Sequence, residues 1–331
     1  MMSLSRARGA GAVPGGNSEP MHQKHLISLK DYSREEIEEI FDLAAAVKAD
    51  PPAYGGVLQG KSLAMIFQKP STRTRVSFEA GMFQLGGTAL HLGVDDIQLQ
   101  RGESIADTAR VLSRFVDGIM ARVFAHQDIL DLARYGSVPV INGLSDLLHP
   151  CQALADYFTL RERRGSLEGL KIAYVGDGNN VCHELMFGAV KLGMTVSVGC
   201  PDGYAPNQLI VKSASREAQK LGAPLPEVQP DPMVAVEGAD VVYTDVWTSM
   251  GQEAEAEARS AAFEGYMVTT DMMAAASPEA VFMHCLPAHR GEEVEAEVID
   301  GPQSVVFDEA ENRLHVQKAV MDALVNGLAN I

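Results

Sequence analysis

Apolar residues along this chain switch repeatedly between two spacings, one that suits a helix and one that suits a buried strand. In DYSREEIEEIFDLAAAVKAD, residues Ile37, Ile40, Phe41 and Ala44 fall on one helical face, and Ser33 with Glu36 has capping-box spacing. KSLAMIF is a short continuous apolar run, the pattern of a strand covered on both faces; Pro70 and Ser71 end it and start a helix. TALHL, DGIMARV and VPVING are predicted as strands, with SIADTARVLSRFV and HQDILDLARYG as the helices between them. After HPCQALADYFTLRERRG, read as a long connecting helix, the alternation begins again. KIAYVGD, TVSVGC, ADVVYTDV and VFMHCL are the later strands, and VCHELMFGAVKLG and LIVKSASREAQKLG are helices. The charge-rich GQEAEAEARSAAFEGY predicts a solvated helix, and LHVQKAVMDALVNGLANI an amphipathic one.

Strands alternating with helices of about a dozen residues call for right-handed βαβ units. The fold class is therefore α/β with two domains, each a parallel sheet flanked by helices, joined near residue 155. The chain's 331 residues are too many for a single ordinary core, which agrees with two. A net charge of -17 argues against nucleic acid and against an anionic membrane surface as partners, because both require a basic face. No apolar run approaches the ~20 residues that span a bilayer. The four cysteines show neither C-x-x-C pairs nor a disulfide framework, so reduced thiols and a cytoplasmic location are expected. Residues 1–20, rich in Gly, Pro, Ser and Ala, read as a flexible tail without the apolar core of a signal peptide. A transit peptide is the alternative there, since the first acidic residue is Glu19.

Against that acidic background the stretch FQKPSTRTRVSFEAG stands out, with Lys69, Arg73 and Arg75 among three hydroxyls. A helix start offers unpaired N–H groups and the positive end of a dipole, and Ser71, Thr72, Arg73 and Thr74 add donors suited to a phosphate. The plainer reading is an N-cap serine followed by solvated arginines. No Walker A motif is present, so a nucleoside triphosphate is not implied. In LLHPCQALAD, His149 precedes a proline-started helix and Gln152 follows three residues on; this suits a carbonyl and an amino group, or simply a capping histidine with an exposed amide. FMHCLPAHRGEE lies at the carboxyl end of a predicted strand, where α/β proteins bind ligands. His284, Cys285 and His289 raise zinc or a thiol nucleophile, but no complementary ligand pair occurs elsewhere, and no metal is expected. YVGDGNNVCHE imitates a dinucleotide fingerprint, yet Val181 holds the third glycine position and the next strand ends without an acid. That argues against NAD, and no cofactor is expected; Asn179 and Asn180 remain as polar contacts for a small ligand.

Taken in order, STRTR, HPCQ and HCLP resemble the aspartate/ornithine carbamoyltransferase family, over nearly the whole chain after the tail. DVWTSMG at 245–251, the cysteine of HCLP and the closing ENRLHVQKAVM look like its ornithine-using branch. The resemblance implies carbamoyl transfer from carbamoyl phosphate to the δ-amine of ornithine, giving citrulline and phosphate, in arginine biosynthesis; the alternatives are another amine such as putrescine as acceptor, or the catabolic direction. It implies a carbamoyl phosphate domain of residues 21–155 plus 305–331, to which the C-terminal helix returns, and an ornithine domain of residues 156–304. Carbamoyl phosphate would meet Ser71, Thr72, Arg73, Thr74, Arg122, His149, Gln152, Cys285, Leu286 and Arg313. Gln98 would come from a neighbouring subunit, making a homotrimer with shared active sites. Ornithine would meet Asn180, Asp245, Ser249 and Met250. Thr74, Arg122, His149 and Cys285 are the residues implied to act in catalysis.

Overall fold

The computed structural model describes residues 23–93, 102–248 and 253–326. Strands β1 (Ser62–Phe67), β2 (Thr88–Gly93), β3 (Gly118–Arg122) and β4 (Val140–Leu144) form a parallel sheet in the order β2-β1-β3-β4. Helices α1 (Arg34–Ala49), α2 (Thr72–Gln84), α3 (Ile105–Leu112) and α4 (His126–Tyr135) belong to the same half. The capping box predicted at Ser33 and Glu36 is formed, with each side chain accepting from the other's backbone N–H. Helix α5 (Pro150–Arg164) then leads to a second parallel sheet. Its strands are β5 (Lys171–Val175), β6 (Thr195–Gly199), β7 (Glu227–Gln229), β8 (Val241–Thr244) and β9 (Val281–His284), in the order β7-β6-β5-β8-β9. Helices α6 (Asn180–Leu192), α7 (Gln208–Leu221), α8 (Pro232–Val236), α9 (Ala256–Ala262), α10 (Thr270–Ala275) and α11 (Ala296–Ile299) surround it. The final helix, α12 (Val306–Asn326), turns back and packs on α1, α2 and α5 of the first half.

Most strands are buried, as covered parallel sheets require, with edge strands β2 and β7 partly exposed: every residue of β3 and β9 is buried, as are Leu63 to Phe67 of β1. Helix α5 seats against α6 through Tyr157, whose hydroxyl donates to the Leu185 carbonyl. A Cβ at Gly188 would lie 2.1 Å from the Tyr157 ring, so the close approach of the two helices depends on that glycine. None of the described helices is long and apolar enough to cross a membrane.

Two elements depart from the sequence reading. Among the described residues of GQEAEAEARSAAFEGY, a 3-10 turn at Glu253–Glu255 leads into a short α-helix at Ala256–Ala262, and the segment is not wholly solvated: Arg259 and Phe263 are buried. The last helix begins at Val306, eight residues before the amphipathic pattern, because Glu309, Asn312 and Arg313 are buried polar groups that periodicity counts as outward-facing. The polar three-residue edge strand β7 and the short α8, α10 and α11 carry too little periodic signal to be read from sequence.

Candidate active site

In an open parallel sheet, ligands bind beyond the carboxyl ends of the two strands where the winding reverses. In the first sheet those strands are β1 and β3, whose ends lead to Ser71–Thr74 and carry Arg122. In the second they are β5 and β8, which lead to Asn179–Asn180 and to Asp245. The two crevices line one cleft of about 480 Å³, closed on a further side by Cys285 and Leu286 after β9. Ser71, Thr72, Arg73, Thr74, Arg122, His149, Gln152, Asn180, Asp245, Cys285, Leu286 and Arg313 all line it. Gln98, Ser249 and Met250 lie outside the described residues, as does the tail of residues 1–20. Lys69, Thr248 and His289 also line the cleft and were not assigned from sequence, although Lys69 and His289 sit inside the two motifs that drew attention.

The basic end of the cleft is built around α2. Ser71 caps the helix by accepting from the Thr74 N–H, and the first turn holds no acid. Arginines at a helix N-terminus work against the dipole, so the first turn of α2 favours an anion in front of it. Arg73 reaches across to donate to the Leu286 carbonyl, where the chain adopts φ +56° at Leu286. Thr74 Oγ1 accepts from Ser71 and from Arg313 (3.1 and 3.2 Å), which leaves its own proton to point elsewhere. Arg313 Nη1 donates to Gln152 Oε1 at 2.6 Å, and with the Gln317 amide turned to suit its neighbours, Arg313 also donates to Gln317.

Arg122 is different. It is buried, and its Nε has no hydrogen-bond partner among the described residues. Burial, then the Arg313 charge, pushes its guanidinium down to about 10. His149 is equally isolated, its Nδ1 buried without a partner. Burial, then the charges of Arg313, Arg122 and Arg73, drives its imidazole well below the usual histidine range and keeps it uncharged. Buried donors left unpaired are costly, and an oxyanion would satisfy all of them.

Across the cleft the chemistry changes sign. Asp245 is the sole carboxylate among the described residues that line the cleft. It accepts from Asn179 Nδ2 (2.7 Å), the Val246 N–H (2.8 Å) and the Cys285 thiol (3.0 Å). Burial and the Asp245 charge push the Cys285 thiol well above its usual range, so it is a donor rather than a thiolate nucleophile. His284, at the end of β9, accepts the Leu286 N–H on Nδ1 (2.8 Å), which puts its proton on Nε2 facing Glu293. Both ring nitrogens are thereby engaged in shaping the Cys285–Leu286 turn. Asn180 donates to the Ser145 carbonyl at 2.6 Å, tying α6 to the loop before α5. The loop before it is tight: a Cβ at Gly178 would fall 2.2 Å from Pro206 N, so this glycine serves packing rather than a pyrophosphate.

Arg259, hidden in the segment read as solvated, anchors the approach to residues 249–252. Its Nη1 donates to Asp177 (3.0 Å) and to the Trp247 carbonyl (2.9 Å), and the guanidinium lies over the Tyr204 ring. Asp177, pushed up to about 6 chiefly by burial, depends on that cation. Arg259→Met is expected to lower unfolding free energy by about 3–5 kcal/mol at pH 8, because it strands a buried carboxylate. Asp177 binds its proton more readily folded than unfolded, so stability falls as pH rises from about 4 through its folded value. The deficit of the variant is therefore smaller at pH 5 than at pH 8, which denaturant unfolding at the two pH values measures.

Comparison with known proteins agrees with this geometry. Residues 24–162 match the model of the carbamoyl-P binding domain of aspartate/ornithine carbamoyltransferase, and residues 168–324 match that of its Asp/Orn binding domain. The chain is 60% identical over 306 residues to an ornithine carbamoyltransferase of Symbiobacterium thermophilum, covering 91% of this chain and 98% of that one. It is 56% identical over 310 residues to an anabolic ornithine carbamoyltransferase of Pyrococcus furiosus, covering 92% and 97%. A solved structure of ornithine carbamoyltransferase from Pyrococcus furiosus superposes with a TM-score of 0.86 at 58% identity, covering 91% and 96%.

Proposed function

The chain belongs to the aspartate/ornithine carbamoyltransferase family, and from that premise we propose how its cleft carries out the reaction. The enzyme transfers the carbamoyl group of carbamoyl phosphate to the δ-amine of ornithine, giving citrulline and phosphate, in the biosynthetic direction. The observation that carries this reading is the split in charge along one cleft. Arg73, Arg122 and Arg313 gather at one end with an uncharged His149, and the single carboxylate of Asp245 stands at the other.

The phosphate sits before α2, held by Ser71, Thr72, Arg73 and Thr74, with Gln98 of a neighbouring subunit completing its shell. Arg122 bridges phosphate and carbamoyl oxygen, and His149 and Thr74 donate to the same oxygen. As the amine attacks, that oxygen gains negative charge, and donors already aimed at it stabilise the tetrahedral species without reorganisation. Gln152, Cys285, Leu286 and Arg313 close around the carbamoyl group. Ornithine lies toward the second half of the chain, its α-amino and α-carboxylate groups met by Asn180, Asp245, Ser249 and Met250. Its δ-amine must lose a proton to react, and the arginine-rich end of the cleft favours the neutral amine. Once the N–C bond has formed, the nitrogen sheds a second proton, which the departing phosphate takes as the C–O bond breaks, since His149 is uncharged but faces three cations and is a poor base.

Residues 21–155 with 305–331 form the carbamoyl phosphate unit in this reading, and residues 156–304 the ornithine unit. The assembly is a homotrimer. It would cover apolar side chains that a monomer leaves to solvent on α2 and β2: Phe83 is 81% exposed, with Val76 and Leu90 also exposed. Product formation from carbamoyl phosphate with ornithine, putrescine, aspartate and N-acetylornithine is the test. Ornithine is expected to be the preferred acceptor. Preference for another amine would overturn the role given to Asp245, and no product with any acceptor would reduce the protein to a carbamoyl phosphate binder.

A further inference from the structure

Beneath the cleft floor lies a pair of titratable groups that the reaction does not use. Asp156 stands one turn after Gln152 on α5, and Glu309 one turn before Arg313 on α12; neither has any solvent exposure. Each takes one N–H of the same amide: Gln152 Nε2 donates to Asp156 Oδ1 at 2.8 Å and to Glu309 Oε1 at 2.9 Å. Glu309 Oε1 also accepts from the Tyr243 hydroxyl (3.2 Å), and its Oε2 accepts from the His284 N–H (3.0 Å). Asp156 Oδ2 is buried with no donor to it. Among the described residues, the one cation facing the pair is Arg313, joined to it through Gln152 Oε1.

Two buried carboxylates opposite one guanidinium cannot both stay ionised at a tolerable cost. The two carboxyls are hydrogen-bonded to each other, which requires a proton on one of them. We propose that Asp156 and Glu309 share a single proton and act as one positioning unit that fixes the Gln152 amide, and through it Arg313, against the carbamoyl phosphate site. Burial pushes both carboxyls up, and the hydrogen bond between them lets the pair hold one proton in common. The other groups facing the pair are uncharged: Tyr243 from β8 and Cys285 from the end of β9 are both held well above their usual ranges, and Asp245 lies beyond Cys285. With both of its N–H groups taken, Gln152 meets a ligand only as an acceptor, through the remaining lone pair of Oε1.

The test compares Asp156→Asn, Glu309→Gln and the double variant in the full-length protein. One shared proton means that each single variant keeps one negative charge opposite Arg313, whereas the double variant keeps none. The infrared C=O band of a protonated buried carboxyl is expected in the native protein near pH 8. It should vanish in Glu309→Gln and also in Asp156→Asn, where Glu309 is still present but becomes ionised. In kinetics, the double variant should lose at least about 10-fold more kcat than the product of the two singles. Absence of the band in the native protein, or its persistence in Asp156→Asn, overturns the proposal, as does a multiplicative loss in a folded double variant. The kinetic arm rests on the role proposed for Gln152 in the reaction; the infrared arm does not, so the two readings fail separately.

Discussion

Replacing Arg122 by methionine is expected to lower kcat/KM for carbamoyl phosphate by about 10³-fold while leaving the protein as stable as before, or more stable. Loss of activity from removing a buried arginine is usually confounded by unfolding, because its carboxylate partner is left stranded. Among the described residues the side chain has no such partner: its Nε is unpaired there, and burial with the neighbouring Arg313 charge depresses its affinity for a proton. A base whose folded pKa lies below its unfolded value weakens the fold at every pH where it must stay charged, so removing the charge relieves a cost. Methionine preserves most of the volume at the end of β3. Inorganic phosphate supplies the control. It should raise the melting temperature of the native protein by ligand linkage and raise that of Arg122→Met much less. An Arg122→Met protein that melted many degrees lower, or that retained full activity, would refute the role given to this residue.

Asp245→Asn is expected to act on the other substrate. Asp245 is the sole carboxylate among the described residues lining the cleft, and an amino-acid acceptor brings an ammonium group that needs one. A charge-assisted hydrogen bond of about 1.5–3 kcal/mol corresponds to roughly a 10- to 150-fold rise in KM for ornithine. Thermal stabilisation by phosphate should persist, because the arginines, His149 and the start of α2 are untouched. The asparagine would also set its Nδ2 against one of the donors Asp245 now accepts from: Asn179, the Val246 N–H or the Cys285 thiol. Some loss of kcat is therefore expected alongside the KM effect. An unchanged KM for ornithine would mean that another group receives the ammonium.

Much of the cleft was legible in the sequence because short motifs place their own residues. Ser71 to Thr74 follow a strand and begin a helix, so their hydroxyls and N–H groups must share one small region whatever the rest of the chain does. Asn180 and Asp245 follow β5 and β8 in the same way. The family resemblance then supplied partners that no local rule could connect, Arg313 above all. Arg259 escaped both: it lies in a run of Ala and Glu whose composition describes a solvated helix, and its burial depends on Asp177, 82 positions away. Residues 249–250 carried two further assignments and lie outside the described residues.

The alternation of strand and helix, the helix start at Ser71 and the two-sheet architecture follow from the sequence itself, because backbone sterics and hydrophobic period act over a few residues. Which polar side chains are buried, and what charge they carry there, was decided only by the tertiary structure. Gln152 and Glu309 stand 157 positions apart, yet each makes the other's burial tolerable. Desolvation charges its cost to a single residue, while the compensating hydrogen bond or counter-charge arrives from a distant element, so no window along the chain contains both sides of the balance.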